Sequence, residues 1–427
     1  MKNTIKFTAA IALLSGLNIS SAMANDIVPA KPETQAMVFT NATIHTAKDG
    51  VINNGQLRVN NGKIVKVAEK VDTSNAKVID LAGKHIYPGL VALDTSLGLV
   101  EISLVRESVD KWEIGDVNPQ LNPKTAYNAD SEIIPTVRYN GITYAQVVPS
   151  GTGIAGQSIV VNMDAWNVND AIVKSGHQMH LYWPSIRWRS SNPKTFKKQQ
   201  EQVQKRTTKV WQAFEDGYRF YLASKAGKKP QGDQKLASML PLYKGEGQLF
   251  VHAQKQEQIE QAIALARKYN FELVIVGGYD AWRVAPSLNE IKAKVIYNRT
   301  LGLPLRRDEP VEQAYKVPAL LKQAGVPFAL GFSADWDARN LSFAAGQAVA
   351  YGLTKEEALK AITSDAAKIL KLDNIGAIAK GYQASFLISS GDILDPATAK
   401  IESLYIDGRK VDLNNRHNQL YQKYLKR

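Results

Sequence analysis

A chain of 427 residues, 44% of them hydrophobic and 22% charged, is too long for one small module and too apolar to stay unfolded. It carries a formal net charge of +13 and no cysteine, which excludes disulfides, cysteine-ligated zinc, iron–sulfur clusters and a thiol nucleophile. Glycine and proline, at 29 and 17 residues, are near ordinary usage, so collagen-like and low-complexity classes are excluded too.

Residues 1–24 read as an export signal. Lys2 and Lys6 precede a short apolar run, and Ala22-Met23-Ala24 supplies a small-x-small cleavage site. The run is shorter than the roughly 20 residues of a membrane span. The expectation is a secreted, periplasmic protein. Short strands follow at 36–40, 55–59 and 63–67, with Asn60-Asn61-Gly62 as a hairpin turn between the last two. Residues 78–81 lead into Gly83-Lys84-His85-Ile86-Tyr87-Pro88-Gly89. From there apolar strands (142–148, 249–252, 273–276, 295–297, 328–331) alternate with helical patterns (256–269, 311–324, 355–370). Strand–helix alternation of this length points to a parallel sheet closed as a (β/α) barrel. Strands return at 385–389, 401–406 and 409–411, with Asp407-Gly408 as a turn. The fold class is therefore α/β: a (β/α)8 TIM-type barrel inserted in a small composite β-sandwich built by both chain ends. The expected divisions are 25–88 and 375–427 for the sandwich and 89–374 for the barrel.

Residues 185–235 form a basic insertion, with thirteen Lys or Arg against four Asp or Glu. Residues 196–225 have helical periodicity, with Val203, Val210, Trp211, Phe214, Tyr218 and Tyr221 on a repeating face. The simple reading is an amphipathic helix with its aromatic face on the body. A second is contact with an anionic envelope surface. No nucleic-acid-binding signature accompanies the stripe. Gly151-Thr152-Gly153-Ile154-Ala155-Gly156 matches a dinucleotide loop in letters. Residues 157–161 after it read as a strand, whereas that motif requires a helix.

The segment Val38-Phe39-Thr40-Asn41-Ala42-Thr43-Ile44, the hairpin at Asn61-Gly62-Lys63-Ile64 and the run 79–90 resemble the start of amidohydrolase superfamily members. Ile375-Gly376-Ala377-Ile378, Gly381-Tyr382-Gln383-Ala384 and Ile406-Asp407-Gly408-Arg409-Lys410-Val411 resemble their end, most closely in the imidazolonepropionase-like branch. The resemblance implies one or two divalent, zinc-like ions at the carboxyl end of the barrel, activating water and polarising a carbonyl. Its ligand motifs are only partly kept. The first-strand His-x-His reads Asp94-Thr95-Ser96, the sixth-strand His falls on Gly277 and the eighth-strand Asp on Ser333, with Asp335 two residues on. The fifth-strand His has a counterpart in His252. The fourth-strand bridging residue has no firm match; Lys244 and Glu246 lie nearby. His177 and His180 are placed in an irregular loop.

The resulting candidates are His252 and Asp94 as metal ligands, Asp335 and Ser333 as catalytic groups, and Ser96, Tyr279, Asp280 and Arg299 as substrate-binding groups. Two functions are carried forward. One is a hydrolase of non-peptide carbon–nitrogen bonds in a small amide, linear or cyclic. The other is a metal-free barrel that binds a small-molecule ligand or an active relative, with self-association as a further expectation.

Overall fold

The computed structural model describes residues 28–186, 189–228 and 233–427. Residues 1–24, expected to be an export signal, lie outside them. Among the described residues no helix is long and apolar enough to cross a membrane.

The amino-terminal part is a sheet. Strands β1 (Ala36–His45), β2 (Val51–Asn60) and β3 (Lys63–Ala68) form an antiparallel meander, while β4 (Ala76–Asp80) and β5 (His85–Pro88) pair β1 in parallel. Asn61 and Gly62 have φ of 48° and 74°, the left-handed pair that a two-residue turn requires.

The chain then enters the barrel. Its strands are β6 (Leu90–Thr95), β7 (Ile142–Val147), β8 (Gly153–Asn162), β9 (Ile172–Tyr182), β10 (Gln248–Ala253), β11 (Glu272–Gly277), β12 (Lys294–Tyr297) and β13 (Phe328–Leu330), in consecutive order. The Phe332 amide donates to the Leu93 carbonyl at 3.1 Å, linking the two edges. Helix α1 (Ile133–Tyr139) precedes β7, α2 (Pro193–Lys225) fills the β9–β10 connection, and α3 (Gln256–Tyr269) joins β10 to β11. Helix α4 (Gln313–Gln323) leads into β13, and α5 (Leu341–Ala350), α6 (Lys355–Ala361) and α7 (Ser364–Ile369) follow it.

The barrel departs from a uniform strand–helix alternation. Strand β8 runs antiparallel to both β7 and β9. The strand after Gly151–Gly156 is thus present, and the glycine-rich stretch runs from a loop into that strand rather than into a helix.

Side chains two apart on each strand share a face. Val91, Leu93, Tyr144, Val160, Phe250, Val274, Val276, Ile296 and Ala329 make one buried interior cluster, which continues into Ile369, Leu370 and Ile375. Helix α7 packs there because the predicted helix 355–370 is interrupted at Ile362–Thr363. The Ile362 carbonyl accepts from the Val91 amide instead of continuing the helix. Periodicity alone does not reveal such a break.

The last strands return to the first sheet. β14 (Phe386–Ser389) pairs β5, and β15 (Ile401–Ile406) and β16 (Arg409–Val411) extend the edge. Phe386 and Tyr405 stack at its centre and Phe39 meets both edge to face, with centroids 4.7 to 5.2 Å apart. Both chain ends therefore build one eight-stranded sheet beside the barrel.

Within the basic insertion, Asn192 caps α2 by accepting from the Lys194 and Thr195 amides. Val210, Phe214 and Gly217 are buried, and Tyr218 packs on Tyr243 and Tyr269. The aromatic face lies against the body, as the periodicity implies.

Candidate functional site

Strand β10 places Phe250 in the barrel interior, so His252, two residues on, points the same way near the carboxyl end. Its register partner on β9 is Tyr182, whose ring stacks on it at 3.8 Å. His180 is also on β9. It is fully buried, and its Nδ1 lies 3.0 Å from His252 Nε2. The irregular loop expected around His177 and His180 is therefore corrected to a strand. Lys244 and Glu246 are exposed in the turn before β10, at the opposite end of that strand from His252. The fourth-strand position belongs to β9. The strand is hard to read at His180 because Gly176 and His177, both with positive φ, disturb its alternation.

Asp94 sits at an irregularity of β6, between Ala92 and Thr95 in the pairing with β7. Its φ of 61° is left-handed. Such a bulge re-aims one side chain. Asp94 Oδ1 lies 3.8 Å from His252 Nδ1, while Oδ2 accepts from Ser333 Oγ at 2.6 Å and from Asn298 Nδ2 at 3.0 Å. Gln254 Nε2 reaches Asn298 Oδ1 at 3.4 Å. One chain of contacts thus runs His180–His252–Asp94–Asn298–Gln254, with Ser333 on Asp94. Asn298 and Gln254 carry no metal-binding signature and were not singled out from sequence.

Gly277 explains the position of Gln254. A Cβ on Gly277 would lie 2.4 Å from Gln254 Nε2, and its φ of 97° disfavours any side chain. Gln254 thus occupies the space where relatives' sixth-strand side chain is expected. Gly277→Ala is predicted to push Gln254 aside and to cost about 1–3 kcal/mol by overpacking, read as a lower midpoint in urea unfolding.

Burial depresses the His252 pKa against the opposing pull of Asp94. Burial, then His252, holds the His180 pKa well below the usual histidine range. Burial therefore favours the neutral form of both rings. The nearby carboxylate favours the His252 proton on Nδ1, so His252 Nε2 accepts from His180 Nδ1.

Among the described residues, eleven buried side-chain polar atoms have no hydrogen-bond partner, and four of them are Ser96 Oγ, His180 Nε2, Gln254 Oε1 and Asp335 Oδ2. Each of these four comes from a residue within or just beyond the carboxyl-terminal half of β6, β9, β10 or β13. The other candidates go elsewhere. Tyr279 donates to Glu309 at 2.8 Å. Asp280, fully buried, pairs with Arg306 and Arg283 and accepts from the Gln256 amide that opens α3. Both are held in a cluster with Arg306 and Glu309 that fastens the 299–312 connection. Arg299 Nη2 donates to Leu303 O at 2.8 Å, back onto its own loop.

The amidohydrolase sequence model matches residues 109–411. The chain belongs to the amidohydrolase family. Among solved structures it is similar to an amidohydrolase from Thermotoga maritima MSB8, with 26% identity over 88% of this chain and 99% of that one and a TM-score of 0.77. An adenosine deaminase from Xanthomonas campestris with bound zinc is similar in fold at 15% identity, 92% and 98% coverage and a TM-score of 0.51. An enamidase is similar in fold at 15% identity, 89% and 97% coverage and a TM-score of 0.50. No curated protein matches the chain.

Amidohydrolases are generally metal-dependent, and such an ion needs several donor side chains converging on one point. Among the described residues no group of three or more His, Cys, Asp or Glu is placed to hold one. His252 Nε2 is taken by His180, Asp94 Oδ2 is covered by Ser333 and Asn298, and the Gly277 position is filled by an amide. The donor set does not fit the family's metal, and His252 and Asp94 are partners in a hydrogen-bonded network instead.

Proposed function

We propose that this amidohydrolase binds a small amide-bearing molecule at the carboxyl end of its barrel through hydrogen bonds and does not cleave it by the family's metal-assisted route. The observation that carries this is the His180–His252 contact, which turns a ligand nitrogen onto a neighbouring ring. The unpartnered Ser96, Gln254 and Asp335 atoms supply the complement that an amide needs, donor and acceptors together. A buried group left unsatisfied costs about 1–3 kcal/mol, so a ligand that satisfies several gains affinity.

The test is metal content after zinc or manganese loading, together with a calorimetric screen of small amides. The expected outcome is less than one ion per chain, a melting temperature unmoved by chelator, and saturable amide binding without product. One or two ions per chain, lost in His252→Ala, would overturn the proposal.

A second reading is favoured by the family match across the barrel. It is hydrolysis of a non-peptide carbon–nitrogen bond in a small amide, linear or cyclic, with Ser333 and Asp335 at the reacting centre. Product formation abolished by Asp335→Asn would select it. The imidazolonepropionase-like branch rests on sequence motifs alone. The reading also includes export to the periplasm, on the pattern of residues 1–24. A mature amino terminus at Asn25, found by mass spectrometry of the periplasmic fraction, would support it.

A further inference from the structure

The connection between β6 and α1 is long and holds only short 3-10 turns at Arg106–Ser108 and Pro123–Thr125. Connections of this length without regular structure are usually functional. Its outer part is unusually apolar for an exposed segment: Leu104 is 97% exposed, Ile114 80%, Ile102 60% and Trp112 52%. Single exposed apolar residues are ordinary, but these four and Val105, five within thirteen positions, mark an interaction surface. The same stretch is acidic, with Glu101, Glu107, Asp110 and Glu113 against Arg106 and Lys111.

The neighbouring surface has the opposite character. Lys194, Lys197, Lys198 and Lys205 are exposed on α2, and no ion pair among the described residues engages them. Lys194, Lys198 and Lys205 recur on one side at helical spacing. The two surfaces adjoin. Lys209 of α2 reaches Asp116 at 3.4 Å, and Lys235 donates to the Val117 carbonyl at 2.9 Å. A groove of about 500 Å³ runs between them, with Ile114, Asp116, Lys209, Gln212, Leu236 and Met239 in its walls.

A two-fold interface needs one patch that carries both complementary halves, because residue i then meets j while j meets i. We propose that two copies of this chain pair through this patch, the acidic apolar loop 101–114 of each lying along the basic face of α2 of the other. Leu104 is the apolar anchor for the partner's groove. The lysines supply steering and register, which charge pairs do more than they supply raw affinity. The overall charge of +13 opposes contact between copies elsewhere. This pairing does not depend on what the barrel binds.

The test is sedimentation velocity on the full chain across concentration and salt, with circular dichroism to confirm folding. The expected result is a dimer that dissociates more readily as salt rises. Lys197→Glu/Lys198→Glu raises the dissociation constant about tenfold or more. Glu107→Lys/Glu113→Lys does the same, and the four changes together restore the dimer. Leu104→Glu/Ile114→Glu gives a folded monomer. A native chain that stays monomeric at all concentrations overturns the proposal. So does a dimer indifferent to every one of these changes, or capture by phosphatidylglycerol vesicles without self-association.

Discussion

Asp164→Ala is expected to remove about 3–5 kcal/mol of stability, the cost of stripping one partner from a buried ion pair. The Asp164 side chain is 1% exposed. It accepts from Arg138 Nη1 at 2.9 Å and from the Ala30 amide at 3.1 Å, and lies 3.4 Å from Arg409 Nη1. Arg138 donates further to the Met163 and Asp412 carbonyls, and Arg409 to the Ala30 and Asp164 carbonyls. This one carboxylate therefore joins α1, the end of β8, the segment before β1 and the start of β16. Burial already depresses the Arg138 pKa, and the nearby Asp164 charge opposes that fall. Alanine leaves the buried Arg138 guanidinium without its hydrogen-bonded counter-charge, with Asp412 as its remaining acidic neighbour, and strips a carboxylate from the partly exposed Arg409. The measurement is urea unfolding at pH 7. A loss under about 1 kcal/mol would show that water satisfies the site and that the pair has little net value.

The second large effect is loss of stability in mild acid. His45, His180 and His252 all have depressed pKa values, chiefly through burial; that of His45 falls from 6.5 to about 4. His45 stacks on Tyr87 at 4.1 Å, and its Nε2 lies 3.0 Å from His85 Nδ1. Below pH 6.5 the unfolded chain takes up protons that the folded chain refuses. More protons bound in the unfolded state make stability rise with pH, so stability falls as pH drops from 6.5 toward 4. Carboxylates held low, such as Glu357 at about 2, add their loss only further down. The expected curve of unfolding free energy against pH is steep between pH 6.5 and 4. His45→Gln and His180→Leu should each flatten part of it. An unchanged slope in both variants would mean that these rings are protonated in the folded chain.

Much of the architecture was readable because it rests on local patterns. The Asn60-Asn61-Gly62 turn, the strands around Phe250, Val274 and Ile296, and the return of β14 to β16 are all set by alternation or turn chemistry. The antiparallel course of β8 was not readable, because direction within a sheet is fixed by the partner strands. The site divided along the same line. His252 and Asp94 could be placed by position along their strands. That Asp94 turns inward depends on a bulge, and that His252 meets His180 depends on the register of β9 against β10. Tyr279 and Asp280 stand at the expected strand end, yet they face Arg306 and Glu309, thirty residues away in sequence for the Tyr279–Glu309 pair. Gln254 matters only because Gly277, on the next strand, leaves its space empty.

The split sheet has a consequence for synthesis. Strand β5 pairs in parallel with β1, but its other edge finds a partner only in β14, with Phe386 opposite Pro88. A ribosome must make nearly three hundred further residues before that edge is covered. Until then Ile86 and Tyr87, both buried in the finished chain, have half of their surroundings missing. The growing polypeptide cannot seal its first unit until its last strands emerge. A nascent chain halted before β14 should expose this edge to chaperones and proteases, whereas the completed chain closes both ends in a single late step.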